Sequence, residues 1–276
     1  MNISRIAILG TGSMGGAILA GLLKSGFEAS SISVTTNSDA SATAIADEYG
    51  VLTFALENGE DANQMAVAGA DVIVVGVKPA YVTEVLADVA DSLNDDALVI
   101  SVAAGITTQA MQAVLPEDVA VVRAMPNTPA IVGLAVTGVA AGSRATDEHV
   151  AAAKELFKTV GKVIVLGENK IDELSTISGS GPAYVFYLIE KMTEAAKAHG
   201  FSDADAALMV NETFLGAAKL LVDSGKTPQE LRKQVTSPNG TTERAIARFD
   251  QTDFAAIFVE ATNAALARAR ELASGK

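Results

Sequence analysis

Short runs of β-branched residues alternate with longer alanine- and leucine-rich segments over the first 167 residues of the chain. The runs predict strands at residues 5–9, 31–36, 51–54, 71–77, 97–103, 120–125, 135–142 and 162–167. Helical spacing of apolar residues predicts helices at 14–25, 39–49, 80–92, 107–114 and 147–159. This order indicates an α/β domain with a mostly parallel sheet and helices on both faces.

The character of the sequence changes after Gly167, where strand-like runs stop and long amphipathic segments begin. In "PAYVFYLIEKMTEAAKAHG", apolar residues follow helical spacing between Pro182 and Gly200. Further helices are predicted at 203–223, 227–235, 241–249 and 253–273. The sequence thus predicts one domain at residues 1–167 and an all-helical domain at 168–276. We expect this helical domain to bury part of its surface against a second copy of the chain.

Composition and charge argue against several classes of protein. A formal net charge of −13 leaves no basic footprint for general nucleic-acid binding. No apolar run is long enough to span a bilayer, so no membrane partner is expected. Because cysteine is absent, there is no disulfide framework, thiolate metal site or cysteine nucleophile. The N-terminus has no signal-peptide pattern, and we expect a cytoplasmic protein.

The segment "AILGTGSMGGAI" contains the pattern G-x-G-x-x-G as Gly10, Gly12 and Gly15. It follows a predicted strand and begins a predicted helix. The first glycine permits a tight turn, the second lets the backbone approach a pyrophosphate, and the third lets the helix pack against the strand. The N–H groups at the helix N-terminus favour the negative charge. The segment therefore predicts a dinucleotide-binding domain of the Rossmann type.

The end of the second predicted strand bears on which dinucleotide binds. A site for NAD usually has an acidic residue there, which holds the ribose hydroxyls. This chain has Thr35, Thr36, Asn37 and Ser38 instead, with Asp39 one position later. Hydroxyl and amide donors can hold a 2′-phosphate, which a carboxylate would repel. We therefore expect NADP(H) to be the preferred cofactor, with NAD(H) also used.

Two later strand ends carry further candidate residues. Lys78 and Pro79 lie at the carboxyl end of the strand predicted at 71–77, where open α/β sheets bind ligands. Asn127 lies between two prolines in "MPNTPA", after the strand predicted at 120–125. A solvated surface lysine and an ordinary turn residue are the alternative interpretations of Lys78 and Asn127.

Groups for acid–base or metal chemistry are scarce in this chain. The two histidines, His149 and His199, lie at predicted helix ends and suit a role in capping or in helix-dipole interaction. With no cysteine beside them, no metal site is expected. Oxidation of an alcohol requires a general base, whereas reduction of an electrophilic C=N bond requires little beyond positioning and a proton. A hydride carrier without an evident base favours imine reduction.

The chain contains the segments "ILGTGSMGGAI", "VGVKP", "ISVAAGIT", "RAMPNTPA", "SGSGPAYVF" and "LRKQVTSPNGTTERAIARF". Together they resemble the Δ1-pyrroline-5-carboxylate reductase family nearly end to end, and "SPNGTT" is the most specific part. The resemblance implies a Rossmann domain followed by a helical dimerisation domain. It also implies NAD(P)H-dependent reduction of the cyclic imine L-1-pyrroline-5-carboxylate to L-proline, the last step of proline biosynthesis. The implied assembly is a homodimer formed by C-terminal helices, built further into a ring of dimers.

The resemblance also assigns site residues by position. The implied cofactor-binding residues are Gly10, Thr11, Gly12, Ser13, Met14, Thr36, Asn37, Ser38, Asn63, Val77, Lys78, Pro79, Ala103, Ala104, Asn127 and Pro129. The implied substrate-binding residues are Ser180, Ser237, Asn239, Gly240, Thr241 and Thr242. Thr242 lies nearest the imine nitrogen and is the implied catalytic residue. The family commonly has glycine where Asn239 stands, and asparagine tolerates a left-handed backbone better than most residues.

Residues from 241 onward begin a predicted helix, which suits the small carboxylate substrate that the resemblance implies. The N–H groups of a helix start can hold an anion without a lysine. Thr242 can donate a hydrogen bond to the imine nitrogen and polarise the bond as hydride arrives. The proton comes either from that hydroxyl or through it from water. Thr241 or Thr242 is also expected to cap the helix.

Two other functions stay open as alternatives. A β-hydroxyacid or imine reductase has a similar layout and usually carries a catalytic lysine on a C-terminal helix. Lys191 and Lys219 are the candidates for that role in this chain. A non-catalytic dinucleotide-binding regulator is the second alternative, and the complete loop at 237–242 disfavours it.

Overall fold

The computed structural model describes residues 3–59 and 61–273. Every strand that the sequence predicts is present, with ends shifted by at most a few residues. The strands are β1 (Ile6–Leu9), β2 (Ile32–Thr36), β3 (Leu52–Ala55), β4 (Val72–Val75), β5 (Leu98–Ser101), β6 (Ala120–Met125), β7 (Ala135–Ala141) and β8 (Gly161–Val165).

The helices follow the predicted pattern, and two of them, the second and the eleventh, have the predicted bounds. In the described part of the chain they are α1 (Ser13–Lys24), α2 (Asp39–Tyr49), α3 (Ala62–Val67), α4 (Val82–Val89), α5 (Thr108–Gln112), α6 (Asp147–Lys158), α7 (Ile171–Leu174), α8 (Gly181–Ala198), α9 (Asp203–Ser224), α10 (Pro228–Gln234), α11 (Thr241–Phe249) and α12 (Phe254–Ala273). A π-helical turn at Ser175–Gly179 follows α7. Helix α3, helix α7 and this π-helical turn are not predicted from the sequence.

The strands form one sheet in the order β3-β2-β1-β4-β5-β6-β7-β8. All neighbouring pairs are parallel except β6 and β7, which run antiparallel. The prediction of a mostly parallel α/β sheet is therefore confirmed. The strand order changes direction between β1 and β4, because β2 and β3 lie on one side of β1 and β4 lies on the other. Open α/β sheets bind ligands at such a switch point, outside the carboxyl ends of the strands.

The side chains of β1 alternate between two hydrophobic clusters on opposite faces of the sheet. Ile6 and Ile8 belong to a cluster that includes residues of α1 and α6. Ala7 and Leu9 belong to a cluster that includes residues of α3, α4 and α5. Successive side chains of a strand point to opposite faces. Burial on both faces therefore explains the continuous apolar runs in the sequence.

The chain divides into two compact units. Among the described residues, the first unit comprises 3–59, 61–180 and 265–273, and the second comprises Gly181–Ala264. The domain division that the sequence places after residue 167 stays a prediction. None of the helices in the described part of the chain combines the length and the hydropathy of a membrane span.

The second unit consists of helices, and α8 packs against α9. Ala206 and Val210 of α9 are buried. Several large apolar side chains of α8 and α9 are exposed in the single chain, among them Phe186, Leu215 and Val222. Large exposed apolar areas mark interaction surfaces.

Candidate active site

The glycine-rich turn is held by close backbone packing between the ends of β1 and β4. Gly10 has φ +84°, in the left-handed region that favours glycine. A Cβ atom at Gly10 would lie 2.7 Å from Cγ1 of Val77, and one at Gly76 would lie 2.8 Å from the carbonyl oxygen of Gly10. Gly10 and Gly76 are therefore required by the protein's own packing.

Gly12, in contrast, is not explained by packing within the protein. A Cβ atom at Gly12 would meet no atom within 4 Å among the described residues. Gly12 is also the N-cap of α1 and supplies no side chain to accept from the first N–H groups of that helix. The neighbouring Oγ1 of Thr11 is buried without a hydrogen-bond partner in the described structure. Open N–H groups, room against the backbone and an unused hydroxyl together fit a bound pyrophosphate.

The end of β2 positions this turn through Thr35. The N–H of Gly10 donates to Oγ1 of Thr35 at 3.0 Å. The N–H of Thr11 donates to the carbonyl oxygen of Thr35 at 2.9 Å. Two hydrogen bonds from consecutive residues fix the orientation of the turn relative to the sheet.

A cleft of about 850 Å³ lies beside the glycine turn, at the carboxyl ends of β1, β2 and β4. Its size is within the range of cofactor sites, and its position is the switch point of the sheet. Its lining includes many of the residues predicted to bind the cofactor, namely Gly10, Thr11, Gly12, Thr36, Asn37, Asn63, Val77 and Lys78.

The other predicted cofactor residues do not line this cleft in the described structure. They are Ser13, Met14, Ser38, Pro79, Ala103, Ala104, Asn127 and Pro129. Ser38 is the N-cap of α2 and accepts from the N–H of Ser41. Met14 packs against the core, and Ala103 is buried.

Some cleft residues are not predicted from the sequence: Ser41, Leu56, Gly76, Tyr81, Glu84, Val85 and Asp88. Four of these, Tyr81, Glu84, Val85 and Asp88, recur at the spacing of one helix face. They are offset from Val82, Leu86 and Val89, which form the buried residues of α4. The sequence after Lys78 thus contains two sets of residues at helical spacing, one buried and one partly polar. The partly polar set is the signal that could have identified this side of the cleft.

The charges of the cleft are predominantly acidic. Among the described residues that line it, Lys78 is the one cation, and Glu84 and Asp88 are carboxylates. Asp88 accepts a hydrogen bond from Nε2 of Gln64 at 2.6 Å. Phosphate recognition in this cleft therefore depends chiefly on backbone N–H groups and hydroxyls.

Asn127 uses both ends of its side-chain amide within the first unit. Its Nδ2 donates to the carbonyl oxygen of Ser178 at 2.8 Å, and its Oδ1 accepts from the N–H of Val136 at 2.9 Å. The residue is 9% exposed. The side chain thus joins the π-helical turn to β7, and Ser180 follows this turn directly before α8.

The loop before α11 has the left-handed residue that the sequence suggests. Asn239 has φ +60°, and its N–H donates to Oε2 of Glu243 at 2.9 Å. The N–H of Gly240 donates to the carbonyl oxygen of Ser237 at 3.0 Å. A Cβ atom at Gly240 would lie 2.6 Å from Oγ of Ser237. The loop therefore accepts asparagine at 239, and a side chain at 240 would displace the hydroxyl of Ser237.

The expected capping of α11 by a threonine is wrong. The N-cap is Gly240, which makes no side-chain capping bond, and Thr241 and Thr242 are the first two residues of the helix itself. In the described structure, the hydroxyls of Ser237, Thr241 and Thr242 make no hydrogen bond. The helix start therefore presents open N–H groups beside three available hydroxyls.

The two histidines are located at helix ends, as the sequence predicts. Nδ1 of His149 accepts from the N–H of Thr146 at 3.2 Å, in a capping box at the start of α6. The predicted capping role of His149 is thereby confirmed. His199 follows α8, whose last residue is Ala198.

Comparison with known proteins agrees with this geometry. Residues 168–272 match the family model described as pyrroline-5-carboxylate reductase dimerisation. Residues 5–105 match the model described as NADP oxidoreductase, coenzyme F420-dependent. The chain is 38% identical over 274 residues to the pyrroline-5-carboxylate reductase of Pseudomonas aeruginosa, with 99% of this chain and 98% of that protein covered. The enzyme of the same name from Escherichia coli is 36% identical, with 97% and 98% covered.

Solved structures give the same result. A pyrroline-5-carboxylate reductase from Coxiella burnetii superposes with a TM-score of 0.91 at 36% identity, covering 98% of this chain and 99% of that one. The pyrroline carboxylate reductase of Plasmodium falciparum, solved with NADP bound, superposes with a TM-score of 0.83 at 23% identity, covering 99% and 98%. That second likeness shows the fold alone. On the extent of its identity with these full-length relatives, the chain belongs to the pyrroline-5-carboxylate reductase family.

Proposed function

We propose that this chain reduces L-1-pyrroline-5-carboxylate to L-proline with NADP(H), and also with NAD(H), as the last step of proline biosynthesis. The observation that carries the proposal is the start of α11. Its N-cap Gly240 has no side chain to occupy the helix N–H groups, and the hydroxyls of Thr241 and Thr242 are available there. Such a helix start is suited to a small carboxylate next to a polarised nitrogen.

The reaction adds a hydride to the imine carbon and a proton to the imine nitrogen, so that the C=N bond becomes a single bond. Bound NAD(P)H supplies the hydride. The N–H groups at the start of α11 hold the carboxylate of the substrate. Thr242, which is half-buried, donates a hydrogen bond to the imine nitrogen and polarises the bond. The proton passes to nitrogen from this hydroxyl, or through it from water.

The cofactor site consists of the glycine turn and the strand ends beside it. The open N–H groups at the start of α1, with Thr11 and Gly12, hold the pyrophosphate. Thr36, Asn37 and Ser38, at the end of β2 and the start of α2, hold the adenosine ribose and its 2′-phosphate. Of the predicted residues that do not line the cleft in this structure, Ser13 and Met14 belong to the phosphate loop, and Pro79, Ala103 and Ala104 lie along the cofactor. Asn127 and Pro129 lie near the nicotinamide.

The family's dimerisation region, present at residues 168–272, supports an assembly of several chains. The exposed apolar side chains of α8 and α9 are suited to burial against a second copy. We propose a homodimer that assembles further into a ring of dimers. We also propose a cytoplasmic location and the division into a dinucleotide-binding domain at 1–167 and a helical domain at 168–276.

A hydroxyacid or imine reductase with a catalytic lysine is less well supported. Lys191 forms ion pairs with Glu190 and Glu194, both at 2.8 Å, on an exposed face of α8. The hydrogen bonds that the ammonium group of Lys191 donates to Glu190 and, to a lesser extent, to Glu194 raise the pKa of Lys191. Lys219 pairs with Asp223 at 2.5 Å on α9. Ion pairing on an exposed helix face does not suit a general base.

The test is a comparison of substrates in one assay. In one reaction the purified protein is mixed with NADPH and pyrroline-5-carboxylate, and the loss of NADPH absorbance is followed. In a second reaction it is mixed with NADP⁺ and a set of β-hydroxyacids, and the gain of NADPH absorbance is followed. Turnover with the cyclic imine alone supports the proposal. Turnover confined to hydroxyacids would establish the alternative reductase, and NADPH binding without any turnover would indicate a regulator.

A further inference from the structure

The turn after β3 is tied to the start of α2 by reciprocal hydrogen bonds. The N–H of Asp39 donates to Oε1 of Glu57 at 2.5 Å. The N–H of Glu57 donates to the carbonyl oxygen of Asn37 at 3.2 Å. Nδ2 of Asn58 donates to Oδ1 of Asp39 at 2.7 Å. These bonds hold the carboxylate of Glu57 against the first N–H group of α2, a helix of 11 residues.

This position borders the adenosine end of the cofactor cleft. Thr36, Asn37, Ser41 and Leu56 line the cleft there, and Leu56 directly precedes Glu57. In a Rossmann domain the adenosine ribose lies beside the end of the second strand. A phosphate on that ribose would be placed near the start of the following helix, where free N–H groups favour anions. In this chain a carboxylate already accepts from the first of those N–H groups.

The same cleft carries an independent sign of a ligand, the buried and unpartnered hydroxyl oxygen of Thr11. Little positive charge offsets Glu57 at the adenosine end. Lys78 follows β4, which is separated from β2 by β1, so the ends of β2 and β4 lie roughly 10 Å apart at ordinary strand spacing. Asp39 adds a second carboxylate beside Glu57. An additional phosphate would therefore enter a region of like charge.

We propose that Glu57 is a specificity-determining residue that opposes the 2′-phosphate and thereby brings the affinity for NADPH down towards that for NADH. The side-chain amide of Asn37 favours the phosphate, and the hydroxyls of Thr36 and Ser38 do so once they exchange their present bonds to the Ser38 carbonyl oxygen and to Oγ of Ser41. The charge of Glu57 works against all three. The inference rests on the proposed function only for the location of the dinucleotide. It does not depend on which substrate receives the hydride.

The test is the variant Glu57→Gln, with Asp47→Asn as the matched control. Glutamine keeps an oxygen that accepts from the N–H of Asp39, so the variant removes the charge while preserving the hydrogen bond. Asp47 is exposed on α2, eight residues after Asp39 and roughly 12 Å from it along the helix axis. The dissociation constants for NADPH and NADH are measured by fluorescence titration of the protein without substrate.

We expect Glu57→Gln to tighten NADPH binding about 10-fold, the change that about 1.4 kcal/mol produces, and to leave NADH within about 2-fold. The gain should shrink at 1 M salt, where exposed charges are screened. Asp47→Asn should change neither constant. Equal changes for both dinucleotides, or no change for NADPH, would overturn the inference. Because binding is measured apart from turnover, an enzyme inactive on pyrroline-5-carboxylate would refute the proposed reaction without affecting this result.

Discussion

Nη2 of Arg123 and Oδ1 of Asp172 form an ion pair of 2.7 Å that joins β6 to α7. The arginine side chain is only 3% exposed, and the aspartate is 24% exposed. Glu168 lies 3.9 Å from the same guanidinium group and accepts two hydrogen bonds from Thr108, both at 2.6 Å. The segment that leads into the π-helical turn is therefore anchored to the sheet by charge.

Removal of the aspartate should destabilise the protein more than removal of the arginine. Asp172→Ala leaves a buried cation with a distant partner, and we expect a loss of about 3 kcal/mol of unfolding free energy. Arg123→Met fills the same volume and leaves carboxylates that water can reach, so the loss should be smaller. Denaturant unfolding of both variants measures the difference. Equal losses in the two variants would contradict this asymmetry.

Asn127 should act as a structural bridge between the π-helical turn and β7. Asn127→Ala removes the partners of the Ser178 carbonyl oxygen and the Val136 N–H. Each unsatisfied buried group costs about 1–3 kcal/mol. We expect the variant to lower the unfolding free energy by about 2–4 kcal/mol. Asn127→Asp keeps the acceptor but turns a carboxylate oxygen towards the Ser178 carbonyl oxygen in a buried site, so at neutral pH it should destabilise at least as much as alanine. An alanine variant of wild-type stability would refute the bridge.

The left-handed backbone at Asn239 predicts which substitutions the loop tolerates. Glycine adopts φ +60° freely, so Asn239→Gly should keep kcat/KM within about 3-fold of the wild type. Asn239→Val places a β-branched residue in that region and costs about 1–3 kcal/mol of local strain. The valine variant should therefore lose activity through a displaced loop. Steady-state kinetics of both variants check the prediction, which fails if valine is as active as glycine.

The start of α10 should depend on pH through Glu230. The backbone N–H and then the hydroxyl of Thr227 donate to this carboxylate and lower its pKa below the ordinary 4.5. A lowered pKa in the folded state means that the stabilisation is complete above the unfolded pKa and is lost as pH falls through the folded value. The Tm values of wild type and Glu230→Gln, measured between pH 7 and pH 3, should therefore differ at pH 7 and approach each other as the pH falls towards 3. A difference in Tm that stays constant with pH would contradict this role.

Much of the fold follows from local sequence patterns. Every strand lies in a short segment that contains β-branched residues, and α2 and α11 begin and end at the predicted residues because their boundaries carry local signals. Helix α3 has only six residues and no side-chain cap, so its sequence "ANQMAV" is too short and carries too few boundary signals to indicate a helix. The antiparallel pairing of β6 with β7 depends on how the chain turns between them, which the strand residues do not encode.

The site divides in the same way between local and long-range determinants. The glycine turn and the left-handed Asn239 follow from short motifs. The bridge from Asn127 to Ser178 joins residues 51 positions apart, and the bond from Asp39 to Glu57 joins residues 18 positions apart. Those partners become known only when tertiary packing brings two elements together. The mistaken threonine cap arose because Gly240 takes the N-cap position, one residue earlier than the hydroxyls.

The most direct test of the proposed chemistry is the kinetic comparison of wild type with Thr242→Ala, using NADPH and pyrroline-5-carboxylate. The exposed Thr213 of α9 provides the control variant Thr213→Ala. We predict turnover by the wild type and the control, and a kcat/KM for Thr242→Ala that is about 10- to 1,000-fold lower, with NADPH binding unchanged. A folded Thr242→Ala protein with the kcat/KM of the wild type would contradict the account.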